Sequence, residues 1–208
     1  MLAQEGWDEV ELHDDLYALE QWRESQPPTR KEIEEQNESL LRDQRKFRNA
    51  ARFVADAFAH VPAVRKVVLF GSVATPLKKE VPRFRRFRRH RVAVWHECRD
   101  VDLAVWVNNL DCLGALRKAR IAALRDFEKT SPHGGVAQHQ VEVFIMNADG
   151  GQHLGRLCPF GACPKGKPEC REPNCGQPRF LQQTAGFRLY ADALSPHKTV
   201  VLFDRESR

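Results

Sequence analysis

The sequence predicts an α+β protein in which a mixed or antiparallel sheet is flanked by helices, with a helical arm at the N-terminus and a cysteine-rich loop near the C-terminus. An amphipathic helical pattern precedes a short buried strand at 66–70. Two later strands, at 100–105 and 140–146, alternate two sets of side chains. Four cysteines then fall within 18 residues that contain almost no core-forming side chains.

Length and composition indicate a soluble globular protein. The chain has 208 residues, of which 42% are hydrophobic and 29% charged, enough for one substantial core and a small accessory module. We see neither an apolar leader at the N-terminus nor an apolar run long enough to span a membrane. Six cysteines without an export signal favour reduced thiols. The sequence therefore predicts a cytoplasmic protein with no membrane association.

We expect four segments along the chain. They are an acidic helical arm (1–44), a core (45–150) interrupted by a basic insertion (76–98), a four-cysteine metal-binding loop (151–178) and C-terminal strands that complete the core (179–208).

Two helices are predicted before the first strand. The first covers Trp7–Glu24 and ends at two consecutive prolines. The second begins at Thr29, because Thr29 and Glu32 have the spacing of a capping box, and extends through Phe58. Its apolar face, which we expect to pack on the sheet, consists of Phe47, Ala50, Ala51, Val54, Ala57 and Phe58.

Charge is distributed unevenly along the chain. Residues 1–40 contain 12 acidic and three basic side chains, a net charge of −9, whereas the whole chain carries +5, so the remainder carries +14. A basic region of this size suggests contact with phosphate or nucleic acid. The acidic arm is then expected either to dock on the chain's own basic surface or to bind a different partner.

Two acidic residues interrupt an apolar strand in the middle of the chain. Asp100 and Asp102 are two positions apart, so their side chains point to one face of the strand and Val101 and Leu103 to the other. Neighbouring carboxylates in an apolar setting repel each other unless a cation lies between them, which favours a divalent metal site. A third acid, Glu142, lies in a later predicted strand and is the third candidate ligand, the alternative being an acid exposed to water on an edge strand.

The order of these motifs resembles the nucleotidyltransferase superfamily of DNA polymerase β, and most closely its small bacterial minimal nucleotidyltransferases. The resemblance covers about residues 45–147: a strand that ends at Gly71 and Ser72, then Asp100 and Asp102, then Glu142. Two features depart from that family. Ser72 and Asp100 are 28 positions apart, further than is usual, and family members often have Asp at the position of Glu142.

The resemblance implies a nucleotidyltransferase-type fold and a specific chemistry. Asp100, Asp102 and Glu142 would bind two Mg²⁺ ions, and Gly71 and Ser72 would contact the phosphates of a nucleoside triphosphate, ATP being the first expected. Lys78, Lys79 or an insertion arginine would neutralise the leaving pyrophosphate. The expected reaction is transfer of a nucleoside monophosphate, AMP in the first instance, to a hydroxyl of a protein, an RNA or a small molecule. The alternative is a catalytically weak binding protein on the same fold, antitoxin-like or RNA-binding.

The basic insertion has six arginines and two phenylalanines within residues 83–91, followed by a predicted strand at 92–95. Such a segment suits phosphate or RNA contact, with the rings stacking on bases. The alternatives are that Phe84 and Phe87 anchor a short helix to the core and that the arginines pair with the acidic arm. The arginines predicted to contact phosphate are Arg85, Arg86, Arg88 and Arg89.

The cysteine-rich loop predicts a structural Zn²⁺ site, because a segment rich in Pro and Gly cannot hold a shape by apolar burial. An iron–sulfur cluster and redox-active thiols or disulfides are the alternatives. His153 is a possible substitute ligand, while Cys98 and Cys112 are expected to be ordinary buried thiols. The predicted zinc ligands are Cys158, Cys163, Cys170 and Cys175.

The C-terminal segment is predicted to form two strands, at 187–191 and 199–203. Tyr190 and Phe203 are expected to pack in the core, and the alternative is that they pack on a nucleotide base.

Overall fold

The structure, a computed structural model, describes residue 18 and residues 22–159, 179–183, 187 and 189–206. The chain divides into two units, one formed by Met1–Leu41 with Lys78–Glu97 and the other by Arg42–Leu77 with Cys98–Arg208. The first unit combines residues of the predicted arm with residues of the predicted basic insertion.

The regular elements follow one another in this order. The helices are α1 (Arg30–Ala59), α2 (Arg85–Arg89) and α3 (Leu113–Thr130). The strands are β1 (Val64–Phe70), β2 (Lys79–Glu80), β3 (Val94–Trp95), β4 (Val101–Val107), β5 (Val141–Asn147), β6 (His153–Leu157), β7 (Leu181–Gln182) and β8 (Val200–Asp204). Short 3₁₀ helices cover Gln138–Gln140, Ala191–Leu194 and Pro196–Lys198.

Helix α1 begins where the capping box predicts. The Thr29 backbone N–H donates to the Glu32 carboxylate over 2.8 Å, and the Glu32 N–H donates to the Thr29 hydroxyl over 3.3 Å. Two backbone donors that the helix itself leaves unpaired are thereby satisfied. The predicted start and the predicted end near residue 58 are both confirmed.

The first unit has a small core of its own. Leu40 of α1, Phe87 of α2 and Val94 of β3 are buried together, with Phe84 and Trp95 packed against them. Strands β2 and β3 pair antiparallel. The strand predicted at 92–95 is shorter than expected, since only its last two residues form β3.

The second unit is built on a six-stranded sheet with the order β7-β6-β5-β4-β1-β8. Strands β4 and β5 are parallel, with α3 as their crossover helix, and all other neighbouring pairs are antiparallel. A mixed sheet flanked by helices confirms the α+β class.

The two faces of this sheet bury different sets of side chains. One face packs on α1 and α3 through a core that includes Phe47, Ala50, Ala51, Val54, Phe58, Leu113, Leu116 and Phe127. The opposite face has a smaller core of Val68, Phe70, Ala104, Phe144 and Met146, against which Leu189, Ala193 and Leu194 pack. The predicted apolar face of α1 and the predicted alternation along β5 are confirmed. Glu142 belongs to the second face, because it alternates with the buried residues of the first.

Two predictions about the C-terminal segment are wrong. Among the described residues of 187–191 there is no strand; a 3₁₀ helix follows at Ala191–Leu194, and β8 alone matches the second predicted strand. Tyr190 is 79% exposed rather than buried, whereas Phe203 is buried as expected. Residues 18 and 22–25 are helical, as the first predicted helix requires, and the Trp22 side chain is 64% exposed. The rest of that helix lies largely outside the described residues.

In the part of the chain that the structure describes, no helix combines the length and apolarity needed to cross a membrane.

Candidate active site

The site is organised around the contact between Gly71 and Asp102. Gly71 directly follows β1 and has a φ of +76°, a backbone conformation that favours glycine. Phe70 pairs with Asp102 across β1 and β4, which brings the Asp102 carboxylate beside the Gly71 backbone. A Cβ atom built on Gly71 would overlap Asp102 Oδ2. Position 71 therefore excludes a side chain for two independent reasons.

Two side chains of α1 hold the loop that follows Gly71. The buried Gln44 amide donates to the carbonyl oxygens of Ser72 at 3.1 Å and Thr75 at 2.7 Å. The Arg48 guanidinium, one helical turn later, donates to the carbonyls of Val73 at 2.6 Å and Thr75 at 3.1 Å. These bonds satisfy the loop's acceptors and fix its backbone before any ligand arrives. Sequence reasoning did not identify Gln44 or Arg48.

Asp102 and Glu142 are direct neighbours in the parallel pair formed by β4 and β5. Both side chains belong to the sheet face opposite α1 and α3. Asp100 is exposed and lies one residue before β4. The Gln140 side-chain amide donates to the Arg99 carbonyl over 3.2 Å, which ties the entry of β4 to the entry of β5. The predicted carboxylates therefore lie at the same end of two adjacent strands.

The electrostatics of this end of the sheet are unfavourable for ionised carboxylates. Burial raises the pKa of Asp102 to about 7, and the negative charges of Glu142 and Asp100 add to that effect. Strongly shifted carboxyl groups are common at functional sites, because chemistry rather than stability keeps them there.

Arg156 of β6 contacts Glu142 and was not predicted from the sequence. One of its guanidinium nitrogens donates to both Glu142 carboxylate oxygens, at 3.1 and 3.2 Å. Arg156 faces Phe144 across β5 and β6, and its guanidinium lies 5.7 Å from the centre of the Phe187 ring. The site thus contains a cation beside its third carboxylate.

An aromatic cluster lies next to this ion pair. Phe144 is 5.2 Å from Phe70 and 5.9 Å from Phe187, measured between ring centres. The His153 ring packs on Phe144 and Phe187, and burial lowers the pKa of His153. His153 and Cys158 lie at opposite ends of β6, about 16 Å apart for a five-residue strand. Because Cys163, Cys170 and Cys175 lie outside the described residues, the expectation that His153 could replace one zinc ligand stays a prediction.

The donor set fits a divalent cation by its chemistry. Carboxylate oxygens are the preferred ligands of Mg²⁺, and a cation would offset the burial and the neighbouring charges that together raise the Asp102 pKa. In the described residues, however, no group of three or more His, Cys, Asp or Glu side chains is placed to hold a metal ion. Glu142 is paired with Arg156 in this arrangement.

The predicted phosphate-contacting arginines belong to the first unit, where two of them have acidic partners. Arg86 bonds the Glu32 carboxylate at 2.6 and 3.0 Å and, with Thr29, holds the pKa of Glu32 well below its usual range. Arg85 lies 3.3 Å from Glu24. These contacts match the alternative in which the insertion arginines pair with the acidic arm. Phe87 is buried and anchors α2, as the other alternative expects. Arg88 and Arg89 are exposed.

The remaining predicted residues fall into separate places. Lys78 and Lys79 belong to the first unit, where Lys79 lies 5.3 Å from the centre of the Trp95 ring. Ser72 stands in the loop after β1, and its side chain bonds Cys98. Cys98 and Cys112 are buried thiols, as expected. Cys158 is buried directly after β6, while Cys163, Cys170 and Cys175 lie outside the described residues.

The chain matches no protein-family model, no curated protein and no solved structure.

Proposed function

We propose that this protein is a metal-dependent nucleotidyltransferase that transfers a nucleoside monophosphate, with AMP as the first candidate, from a nucleoside triphosphate to a hydroxyl group. The observation that carries the proposal is the packing of the Asp102 carboxylate on the Gly71 backbone, with Glu142 in register on the neighbouring strand. A nucleotidyltransferase-type fold of the second unit is part of this proposal.

The chain's own residues divide the work as follows. Asp100, Asp102 and Glu142 would hold Mg²⁺, which would neutralise the triphosphate and acidify the attacking hydroxyl. Gly71 lets the triphosphate approach the backbone closely, and Ser72 supplies a hydroxyl to it.

In the proposed reaction one bond to phosphorus forms, another breaks and one proton is transferred. The acceptor oxygen forms a bond to the α-phosphorus, and the bond from that phosphorus to the bridging oxygen breaks. Glu142 accepts the hydroxyl proton, and the electron pair of the broken bond leaves with pyrophosphate. Arg156, which pairs with Glu142 before substrate binds, is proposed to turn to the phosphates and neutralise the leaving group. Lys78 and Lys79 remain candidates for the same role.

A structural zinc ion in the cysteine-rich loop, a reduced cytoplasmic setting and a protein, RNA or small-molecule acceptor complete the proposal. The buried thiols of Cys98 and Cys112 support the reduced setting.

A second function is favoured by one observation. The Glu142 carboxylate is engaged by Arg156, and the described carboxylates do not form a closed metal cluster. This arrangement suits a binding protein on the same fold in which the acidic residues are structural.

Label transfer separates the two functions. The full chain is incubated with Mg²⁺ or Mn²⁺ and each nucleoside triphosphate, labelled in parallel at the α- or the γ-phosphate, with RNA, cell lysate or no acceptor. We expect transfer of the α-label only, and none by Asp102→Asn. Transfer of the γ-label would indicate a phosphotransferase instead. No transfer of either label would favour the binding protein.

A further inference from the structure

A groove of about 500 Å³ runs between the second half of α1 and the C-terminal end of α3, on the side of the sheet opposite the carboxylates. Arg42, Arg45, Lys46 and Arg52 line it from α1, and His133 lines it from the loop after α3. All these residues belong to the second unit. None of its lining residues belongs to the arginine-rich insertion that the sequence singled out.

The cations form a stripe along one helix. They recur at intervals of three, one and six residues, so they lie on the same side of α1 over about 15 Å. A stacked single strand places one phosphate about every 3.4 Å, so this length matches four to five phosphates. Lys46 is 3.2 Å from Asp43, and Asp56 lines the far end of the groove. The four basic side chains of the stripe still outnumber these two acids.

An exposed aromatic side chain lies within the same groove. Phe53 is 37% exposed although it stands on a helix whose other aromatic residues are buried, and its ring contacts Phe127 edge-on at 5.4 Å. A basic groove with an aromatic ring is the combination by which proteins bind single-stranded nucleic acid: the cations follow the backbone and the ring stacks on a base.

The opposite wall is the C-terminal end of α3, where two backbone carbonyls have hydrogen-bond partners. A helix C-terminus normally presents unpaired carbonyl oxygens with partial negative charge. Here the Thr130 hydroxyl contacts the carbonyls of Asp126 and Phe127 at 3.1 Å, and the Ser131 N–H donates to the Phe127 carbonyl at 2.8 Å. One side-chain hydroxyl and one backbone N–H thereby pair with the carbonyls of Asp126 and Phe127.

We infer that this groove binds a single strand of nucleic acid, with Arg42, Arg45, Lys46 and Arg52 on its phosphates and Phe53 on a base. Binding does not require the carboxylates, so it does not depend on the proposed reaction. Helix α1 also holds the loop after Gly71 through Gln44 and Arg48, at the same level as the first three cations of the groove. A bound strand therefore lies beside the helix that positions the candidate active site.

The test measures the affinity of short fluorescent single-stranded RNA and DNA of one sequence by anisotropy at several salt concentrations. Arg45→Glu/Arg52→Glu should weaken binding at least about tenfold and reduce the salt slope by about 0.7 for each lost contact. The control, Lys118→Glu/Arg125→Glu, makes the same charge change at exposed positions of α3 and should alter affinity less than about threefold. Arg45→Lys/Arg52→Lys keeps the charge and should retain most of the affinity.

Two further variants sharpen the result. Phe53→Ser should weaken binding about tenfold, while Phe53→Tyr should not. Asp102→Asn should bind as the unaltered chain does, so a failure of catalysis and a failure of binding are distinguishable. The polymer that binds more tightly identifies the natural ligand as RNA or DNA.

Three outcomes would overturn the inference. They are equal losses in the groove variant and the α3 control, no binding of either polymer at low salt, and equally tight binding of a polyglutamate peptide, which would indicate an acidic protein as the partner.

Discussion

The Asp102 carboxylate occupies the space that a side chain at position 71 would fill, and the backbone of Gly71 has a left-handed φ at that point. The first strand of the sheet and the acidic strand therefore depend on each other at the candidate active site. This packing predicts how substitutions change stability, which can be measured without knowing the substrate.

Replacing Gly71 with alanine is expected to destabilise the protein by about 2 to 4 kcal/mol, from backbone strain and the overlap with Asp102. Urea unfolding measures the loss. Gly134→Ala is the matched control, because Gly134 has a similar φ of +79° but nothing within 4 Å of an added Cβ. It should lose only the backbone contribution, about 1 kcal/mol. Equal losses in the two variants would contradict the packing described here.

Asp102 is expected to make stability fall as pH rises. Its pKa is raised to about 7 in the folded protein from an ordinary value of 3.8, so between these values the folded state holds a proton that the unfolded state has released. At pH 8, Asp102→Asn should therefore have a free energy of unfolding about 1 to 2 kcal/mol higher than that of the unaltered chain, measured by urea unfolding. The difference should vanish near pH 4. Asp56→Asn, at an exposed position, should change neither value.

Arg156 is expected to act on the triphosphate. Arg156→Ala should raise the KM for the nucleotide about tenfold, because a charge-assisted contact to phosphate is lost, and Arg156→Lys should recover part of it. Steady-state kinetics with each nucleotide measure both values. An unchanged KM in Arg156→Ala would leave the pair with Glu142 as a structural contact only.

The cysteine-rich loop is expected to hold about one zinc ion per chain, measured by elemental analysis of the purified protein. Cys163→Ser/Cys170→Ser should lose the metal. Cys98→Ser and Cys112→Ser remove thiols that are buried elsewhere and should retain it. Zinc retained in the loop variant, or iron found in its place, would contradict the zinc prediction.

Local patterns in the sequence predicted much of this fold. Thr29 and Glu32 specify the start of α1 by bonds within one helical turn, and the structure contains those bonds. The alternation around Asp102 and Glu142 correctly separates the two faces of their strands, since the period of two needs no knowledge of neighbours.

Contacts between distant segments were not predictable in the same way. Gln44 and Arg48 bind loop carbonyls about 25 to 31 residues away, and nothing in the local pattern of α1 indicates such partners. Arg156 and His153 both contact the side of the sheet that carries Phe144, although strict alternation would put them on opposite faces. An irregularity in the pairing of β5 and β6 between Ile145 and Met146 accounts for this placement.

The incorrect strand at 187–191 has a similar origin. Its apolar residues suggest a strand, but Leu189 packs on the second face of the sheet beside Phe144 without joining the hydrogen-bonded ladder. Burial against a sheet and pairing within a sheet select the same residue types, so composition alone does not separate them.

The central claim is that the carboxylates beside Gly71 carry out nucleotidyl transfer. Release of pyrophosphate from a nucleoside triphosphate, measured with Mg²⁺ and acceptor for the unaltered chain, Asp102→Asn and Asp149→Asn, tests it most directly. Asp149 is an exposed acid just after the opposite end of β5 from Glu142. We expect the unaltered chain and Asp149→Asn to release pyrophosphate. Asp102→Asn should release it at least about a hundredfold more slowly. Equal release by the two Asp→Asn variants, or none by the unaltered chain, would contradict it.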